Sequence, residues 1–314
     1  MNPFILRAAL LTIALAVSAP APARAADVLH VATGPTDSGA AVYYAAELGY
    51  FKSAGLDVQI TSLASGAAVA AGVASGTIDI AQGSLPSLAE AYERKIPFVL
   101  VAPGGLYSSK APTSALVVAQ NSTIKVAKDL NGKTIANNAL KNIGEVAADA
   151  WLDAGGADIS SVKILEMPLP EMESALGSGR IDAAVLVEPL LGKVLASKNV
   201  RMLAPAYTSI AREFMINAWF SNADWAKSHG DILKRFVGAI RAADRWGNQP
   251  ENRARSAAIL EKYTKVALGP YNTRIVYADT LDPALIQPVI DACAKFHVLK
   301  ASFPASDFIY GGMH

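Results

Sequence analysis

The order of apolar and polar residues along the chain predicts a series of strand–helix–strand units. Residues 56–63, LDVQITSL, alternate in the manner of a half-buried strand. The small residues at 64–76, ASGAAVAAGVASG, then favour a short helix, and TIDIAQ at 77–82 predicts a second strand. Because two strands joined by a helix lie parallel in one sheet through a right-handed crossover, the pattern indicates an α/β fold.

The same pattern returns about a hundred residues later. VKILEMP at 162–168 predicts a strand, PEMESALGSG at 170–179 a helix, and RIDAAVLV at 180–187 a buried strand. The phrase SGTIDIA is thereby almost repeated as SGRIDAA, with a glycine where each helix ends. Asp79 and Asp182 open the strands that follow. We interpret them as structural and not as a catalytic pair, because α/β sites lie at the carboxyl ends of strands.

Further units of this kind predict two sheets. We expect one sheet before about Pro112 and another from about Thr113 to Phe220, joined by the connecting segments TSALVV (113–118) and MINAWFS (215–221). From Ser221 onward the pattern is helical. The predicted division is therefore a first lobe of residues 26–112 and 221–314 and a second lobe of residues 113–220.

The first 25 residues have the order of a secretory signal peptide. Arg7 and the amino terminus supply positive charge, about a dozen apolar residues follow, and small residues precede a cleavage site after Ala25. The apolar stretch is too short to cross a bilayer. No cysteine follows that could carry a lipid. We therefore expect a soluble protein of the periplasm that is not lipid-anchored.

Composition and motifs argue against several classes of function. The formal net charge is +1 with no basic run, so no nucleic-acid partner is expected. Cys293 is the only cysteine, which excludes an internal disulfide, and its apolar helical context predicts a buried thiol. The four histidines lack metal-ligand spacing, and LNGKT at 130–134 lacks the first glycine of a phosphate-binding loop. We expect no metal, no cofactor and no catalysis.

Several blocks carry a family resemblance. YYAAELGYFKSAGLDVQI (43–60), the segment 74–102, DLNGKTIA (129–136), GRIDAAVLVEP (179–189) and the segment 281–309 together resemble the nitrate/sulfonate/taurine-type solute-binding proteins of ABC importers. That group also includes binders of pyrimidine precursors of thiamine. The resemblance implies the type II periplasmic-binding-protein fold, with two lobes, two hinge-strand crossovers and a cleft between the lobes.

The resemblance also implies a function. The protein would capture a small organic solute by lobe closure and deliver it to an ABC permease in the inner membrane, acting as a monomer. One alternative is an enzyme on the same scaffold, similar to pyrimidine-precursor synthases. The predicted export and the absence of a histidine-centred site count against it. Another alternative is a periplasmic sensor partner, which the sequence does not separate from a transport protein.

Polar and small residues that follow the predicted strands are candidates for the cleft, because strand carboxyl ends and helix amino ends meet there. The candidate ligand-binding residues are Thr36, Asp37, Ser38, Ser65, Gly66, Gln82, Gly83, Ser84, Tyr107, Asn138, Asn142 and Glu188. The resemblance supports Ser65, Gly66, Gln82, Ser84 and Glu188 most directly.

Each candidate also has a purely structural interpretation. Ser65, Ser84 and Asn142 have the properties of helix caps, and Gly66 and Gly83 those of turn residues. Tyr107 is equally interpretable as a loop aromatic. The sequence ALKNIGE (139–145) departs from the usual Gly-Ser of the resembled group, which weakens the assignment of Asn142 as a ligand contact.

The charges of the candidates bear on the ligand. Asp37 and Glu188 would repel an inorganic anion, and Lys141 is the one nearby cation that the sequence offers. We therefore expect a solute with an N–H, amine or hydroxyl donor. Aminosulfonates and aminopyrimidines fit that expectation better than nitrate.

Overall fold

A computed structural model describes residues 26–63, 65–270 and 272–311. Within these residues the chain forms three sheets and eleven α-helices. The strands are β1 (Asp27–Thr33), β2 (Leu56–Ser62), β3 (Ile80–Ser84), β4 (Phe98–Pro103), β5 (Gly105–Ser108), β6 (Ser114–Ala119), β7 (Thr134–Asn137), β8 (Lys163–Glu166), β9 (Ala183–Val187), β10 (Val200–Ala204), β11 (Glu213–Met215), β12 (Asn217–Asn222) and β13 (Val276–Tyr277). The helices are α1 (Ala41–Glu47), α2 (Tyr50–Ser53), α3 (Gly66–Ser75), α4 (Leu85–Glu93), α5 (Ile143–Ala154), α6 (Met172–Gly177), α7 (Leu190–Ser197), α8 (Ala223–Ser228), α9 (Gly230–Asn248), α10 (Arg253–Thr264) and α11 (Pro283–Lys295).

The two large sheets have five strands each and the same design. The first has the order β2-β1-β3-β12-β4, and the second has the order β10-β6-β9-β7-β8. In the first, β1 pairs in parallel with β2 and β3, and β12 runs antiparallel to its neighbours. In the second, β7 is the strand with two parallel neighbours and β6 the strand with two antiparallel ones. Below, the first sheet with α1–α4 and α8–α11 is called the first-sheet unit, and the second sheet with α5–α7 the second-sheet unit.

A small third sheet, β11-β5-β13, connects the two units. The expectation that TSALVV and MINAWFS form the connections was wrong by one element in each case. β6 and β12 are interior strands of the large sheets, and the chain crosses between the units through β5 and β11. β6 and β12 are buried almost throughout, as is typical of strands that are covered on both faces of a sheet. The predicted boundary between the two lobes at residue 220 falls within β12. The division into two lobes is otherwise still a prediction.

The repeated phrase has the same structural role in both units. Gly76 and Gly179 have φ values of +75° and +71°, the left-handed conformation that follows α3 and α6. Asp79 Oδ2 accepts a hydrogen bond from His30 N at 2.7 Å, and the Asp79 amide donates back to His30 O.

Asp182 does the same in the second unit. Its Oδ2 accepts from Thr134 N at 2.9 Å, and its amide donates to Thr134 O. Each aspartate therefore links the start of its own strand, β3 or β9, to the neighbouring parallel strand, which supports the structural interpretation of the pair.

Other parts of the chain agree with the sequence pattern. Four helices, α8–α11, occupy the region after residue 222, and Cys293 is fully buried in α11. Trp219 of β12 packs edge-on against Phe236 of α9 in the core. The predicted signal peptide, residues 1–25, lies outside the described residues. Among the described helices, none is both long and apolar enough to cross a membrane.

Asp182→Ala is expected to lower the melting temperature. The Thr134 amide loses its carboxylate acceptor, and the ion pair to Lys133 Nζ at 3.3 Å is lost as well. The cost of about 1–3 kcal/mol corresponds to a fall of about 2–8 °C in thermal denaturation. Asp182→Asn keeps one acceptor oxygen and should recover much of the loss. An unchanged melting temperature would contradict the register role.

Candidate functional site

A cavity of about 180 Å³ lies between the two large sheets. Its walls come from both units, at the carboxyl ends of β1, β3 and β9 and the amino ends of α3, α4 and α5. Ten of the twelve candidates line it, namely Thr36, Asp37, Ser38, Gly66, Gln82, Gly83, Ser84, Asn138, Asn142 and Glu188. Most of the residues that were chosen because they follow a predicted strand therefore lie around one cavity.

Two candidates lie elsewhere. Tyr107 of β5 is fully buried, its hydroxyl pairs with Thr208 Oγ1 at 2.6 Å, and its ring packs against Tyr207 and Phe214. It belongs to the core of the connecting sheet. Ser65 caps α3, where its Oγ accepts from Ala68 N at 3.4 Å, and it does not line the cavity.

The structure also separates the alternatives for the other small and capping residues. Asn142 is a cap and a cavity residue at once, because its Oδ1 accepts from the amides of Gly144 and Glu145. Ser84 precedes α4 without capping it. Gly66 and Gly83 do not have positive φ, so turn geometry does not explain them. A Cβ on Gly83 would lie 2.9 Å from Leu88, whereas Gly66 faces open space.

Asp37 is buried and engaged by an arginine that the sequence did not suggest. Arg274 Nε lies 3.0 and 3.1 Å from its two carboxylate oxygens, and Arg274 Nη2 lies 2.9 Å from Oδ1. The Ile275 amide donates to Oδ2 at 2.7 Å. The expectation that Lys141 was the one cation near the two acids was therefore wrong. Asp37 and Arg274 are 237 residues apart, and no local pattern links them.

Glu188 is buried and engaged by the residues just before Arg274. Its Oε1 accepts from Thr273 N at 3.0 Å, and its Oε2 accepts from Gly192 N at 3.1 Å and from Asn272 Nδ2. A side chain at Gly192 would force Asn272 to shift, because its Cβ would lie 2.5 Å from Asn272 Nδ2. Burial raises the pKa of Glu188, and the hydrogen bonds from Asn272, Gly192 and Thr273 oppose that rise.

Residues 272–277 therefore form a strap that contacts both units. Asn272 and Thr273 hold Glu188 of the second-sheet unit, Arg274 and Ile275 hold Asp37 of the first, and Val276–Tyr277 is β13 of the connecting sheet. Arg274 offsets the charge of Asp37, whereas Glu188 accepts from uncharged donors, so the cleft does not contain the two free carboxylates that the sequence suggested.

Direct contacts join the two units around the cavity. Asp37 N donates to Glu188 O at 3.1 Å, and Ile143 N donates to Ser84 Oγ at 3.0 Å. At the rim, Lys141 Nζ lies 2.8 Å from Glu90 Oε1, so Lys141 pairs across the cleft and does not line the cavity. Lys295 Nζ of α11 likewise lies 2.8 Å from Asp153 Oδ2 of α5. The cavity is thus held closed by contacts on several sides.

A partly buried acid lies on α5, the helix that carries several of these contacts. Asp149 of α5 follows Glu145 by one turn, and burial raises its pKa to about 7, with the charge of Glu145 adding to the rise. The folded protein consequently holds a proton there that an unfolded chain releases near its ordinary pKa of 3.8.

Glu188→Gln is expected to lower the melting temperature by about 3–8 °C. Both carboxylate oxygens of Glu188 accept hydrogen bonds from protein donors. In a glutamine the NH₂ group replaces one of these oxygens, so at least one buried donor loses its acceptor. Glu213→Gln, on the exposed face of β11, is the matched control and should change nothing. Equal melting temperatures of the two variants in calorimetry would argue against the strap contact.

Asp149→Asn is expected to change the pH dependence of stability. In the native protein, stability should fall as pH rises from about 4 to about 7, because over that window the unfolded chain has released a proton that the folded protein still binds. The variant should lack this decline and melt at a higher temperature at pH 7.5. Melting curves over the pH range test this, with Asp153→Asn as control, and parallel profiles would contradict it.

Comparison with known proteins identifies relatives. The chain is 26% identical over 224 residues to the taurine-binding periplasmic protein of Escherichia coli K12, an alignment covering 67% of this chain and 66% of that protein. It is 26% identical over 239 residues to the bicarbonate-binding protein CmpA of Synechococcus elongatus, covering 68% of this chain and 52% of that one. The chain thus spans between half and two thirds of the curated relatives that it matches.

Structural comparison shows the fold. The alkanesulfonate-binding protein SsuA from Xanthomonas axonopodis pv. citri, bound to MOPS, superposes with a TM-score of 0.74 at 15% identity, covering 92% of this chain and 99% of that one. The predicted periplasmic-binding-protein fold is confirmed. The model of the NMT1/THI5-like family matches residues 38–252, which is more than half of the 314 residues. The protein therefore belongs to the NMT1/THI5-like family.

Proposed function

We propose that this protein is an extracytoplasmic solute-binding protein, which captures a small organic solute in the cavity and delivers it to the permease of an ABC importer. The observation that carries the proposal is a cavity of about 180 Å³ walled by two separate α/β units that touch around it. Family membership and the names of the two curated relatives, both binding proteins, support it.

The size and surface of the cavity suit a small organic molecule. Its volume is slightly larger than the roughly 150 Å³ of cavities that bind benzene. Apolar side chains such as Leu88, Phe98 and Phe220 alternate with hydroxyl and amide side chains around it. Such a mixture is typical of small-molecule sites, in which a few polar groups orient an otherwise apolar ligand.

The two units would act as the lobes of a clamp. In this proposal the first-sheet unit, with the whole of β12, forms one lobe and the second-sheet unit forms the other, and the chain bends at the connecting sheet. A solute that touches both walls stabilises the closed arrangement by its differential affinity for that state. The closed form would then be recognised by a permease in the inner membrane, and the protein would act as a periplasmic monomer.

The enzyme alternative has less support. Among the described residues that line the cavity there is no His, Cys, Lys or Arg to act as nucleophile or general base. Its two acids, Asp37 and Glu188, are each held by protein donors. A sensor that presents its closed form to a receptor would use the same cavity, so the function of solute capture is common to both uses.

Solute binding should be visible in the protein produced without residues 1–25. Taurine, bicarbonate, MOPS and a set of uncharged heterocycles are the probes, in thermal-shift assays followed by small-angle scattering. At a hundred times Kd, a true ligand stabilises by about 2.7 kcal/mol, which raises the melting temperature by about 5–10 °C. Scattering should show a smaller radius of gyration with ligand than without.

A pair of neighbouring substitutions provides the control. Ala139 lines the cavity, whereas Leu140 is exposed beside it. Ala139→Trp should abolish the ligand-induced shift, and Leu140→Trp should leave it intact. If no probe shifts the melting temperature, or if both variants bind equally well, the proposal is wrong.

A further inference from the structure

The cavity has no charged side chain available to a ligand. Lys, Arg and His are absent from the described residues that line it. Both oxygens of Asp37 are occupied by Arg274 and the Ile275 amide. Both oxygens of Glu188 are occupied by donors from the strap and from Gly192. A cation would thus meet two carboxylates that already accept hydrogen bonds from the protein, and an anion would find no cationic side chain among the described lining residues.

Backbone amides hold anions in many proteins. Here they are occupied at two of the three helix ends, whereas at the third, α3, the capping bond is that of Ala68 N to Ser65 Oγ and Gly66 faces open space. At the amino end of α5, Ile143 N donates to Ser84 Oγ, and the amides of Gly144 and Glu145 donate to Asn142 Oδ1. At the amino end of α4, Leu85 N donates to Ile216 O and the next residue is a proline. Two of the three helix ends at the cavity therefore have their first amides turned to protein acceptors.

The neutral polar side chains of the cavity are partly free. Gln82 and Asn217 are used within the protein, since both donate to Ser38. Ser114 of β6 lines the cavity, and its buried Oγ has no hydrogen-bond partner of good geometry among the described residues. The Tyr207 phenol is close enough for Ser114 to lower its pKa, against the larger rise caused by burial. A hydroxyl of this kind can pair with an uncharged polar group of a ligand.

The remaining wall is apolar and includes two aromatic rings, Phe98 and Phe220, with Leu88, Ile143 and Ile216. Placing an ionised group against this wall, away from the amino end of α3 and without a counter-charge, carries a large desolvation cost, whereas an uncharged polar group costs far less. The chemistry of the wall therefore discriminates by charge.

From these contacts we infer that the cavity selects solutes that are uncharged at neutral pH, with an apolar or aromatic body and one or two neutral hydrogen-bonding groups. This inference rests on the proposed function and names the ligand class of the same site. It differs from what the names of the two curated relatives would suggest, because taurine carries two charges and bicarbonate one.

A set of three probes of nearly equal shape tests the inference. Benzamide is uncharged, benzoate is an anion and benzamidine is a cation, and each is close to the cavity in size. Calorimetric titration at pH 7.5 should give a Kd for benzamide at least tenfold lower than for the other two. Methanesulfonamide and methanesulfonate provide a second, aliphatic comparison, in which the sulfonamide should bind more tightly.

A cation placed in the wall should reverse the preference. Ala139→Lys puts an ammonium group at the cavity, and Leu140→Lys puts one outside it. In Ala139→Lys, the Kd values for benzamide and benzoate should lie within threefold of each other, or benzoate should bind more tightly. In Leu140→Lys, the ratio of the two Kd values should be the same as in the unsubstituted protein. Melting curves of both variants show whether they are folded.

The outcomes separate this inference from the proposed function. Tighter binding of benzoate, methanesulfonate or taurine than of the uncharged probes would overturn the inference and leave solute binding standing. A cavity that binds none of the charged or uncharged probes would overturn both.

Discussion

The closed cavity depends on the strap at residues 272–277. Four consecutive residues, Asn272 to Ile275, hold Glu188 on one side of the cleft and Asp37 on the other. Each carboxylate is buried, so its charge is tolerated only because these donors surround it. The same contacts remove both acids from the set of groups that a solute could meet, and they thereby determine the chemical character of the site.

The fold could be predicted from the sequence because short local patterns of residues indicate its elements. Strand and helix periodicities, and glycines at helix ends, recur in both units, and Asp79 and Asp182 make the same reciprocal hydrogen bonds in each. Ten of the twelve candidates, chosen because they follow predicted strands, likewise lie around one cavity. These features need only short stretches of chain to be recognised.

The sequence was less informative about the roles of those residues. Asp37 and Arg274 are 237 positions apart, and Glu188 and Asn272 are 84 positions apart. The residues around each acid do not indicate which distant residue it pairs with. Tyr107 lies outside the cavity for a related reason, since its strand belongs to a sheet assembled from three distant segments. A list of cavity residues can thus be correct while the electrostatic argument built on it is not.

The strap also has a consequence for the order in which the molecule is completed. Glu188 is made 84 residues before Asn272, so during synthesis the second-sheet unit exists for a time with its buried acid lacking those donors. Units of a chain generally fold as they emerge. The walls of the cleft can therefore form early, but the cleft acquires its final shape only after the carboxyl-terminal part of the chain has docked. If the protein captures a solute as proposed, the closed site therefore depends on contacts from the carboxyl-terminal part of the chain.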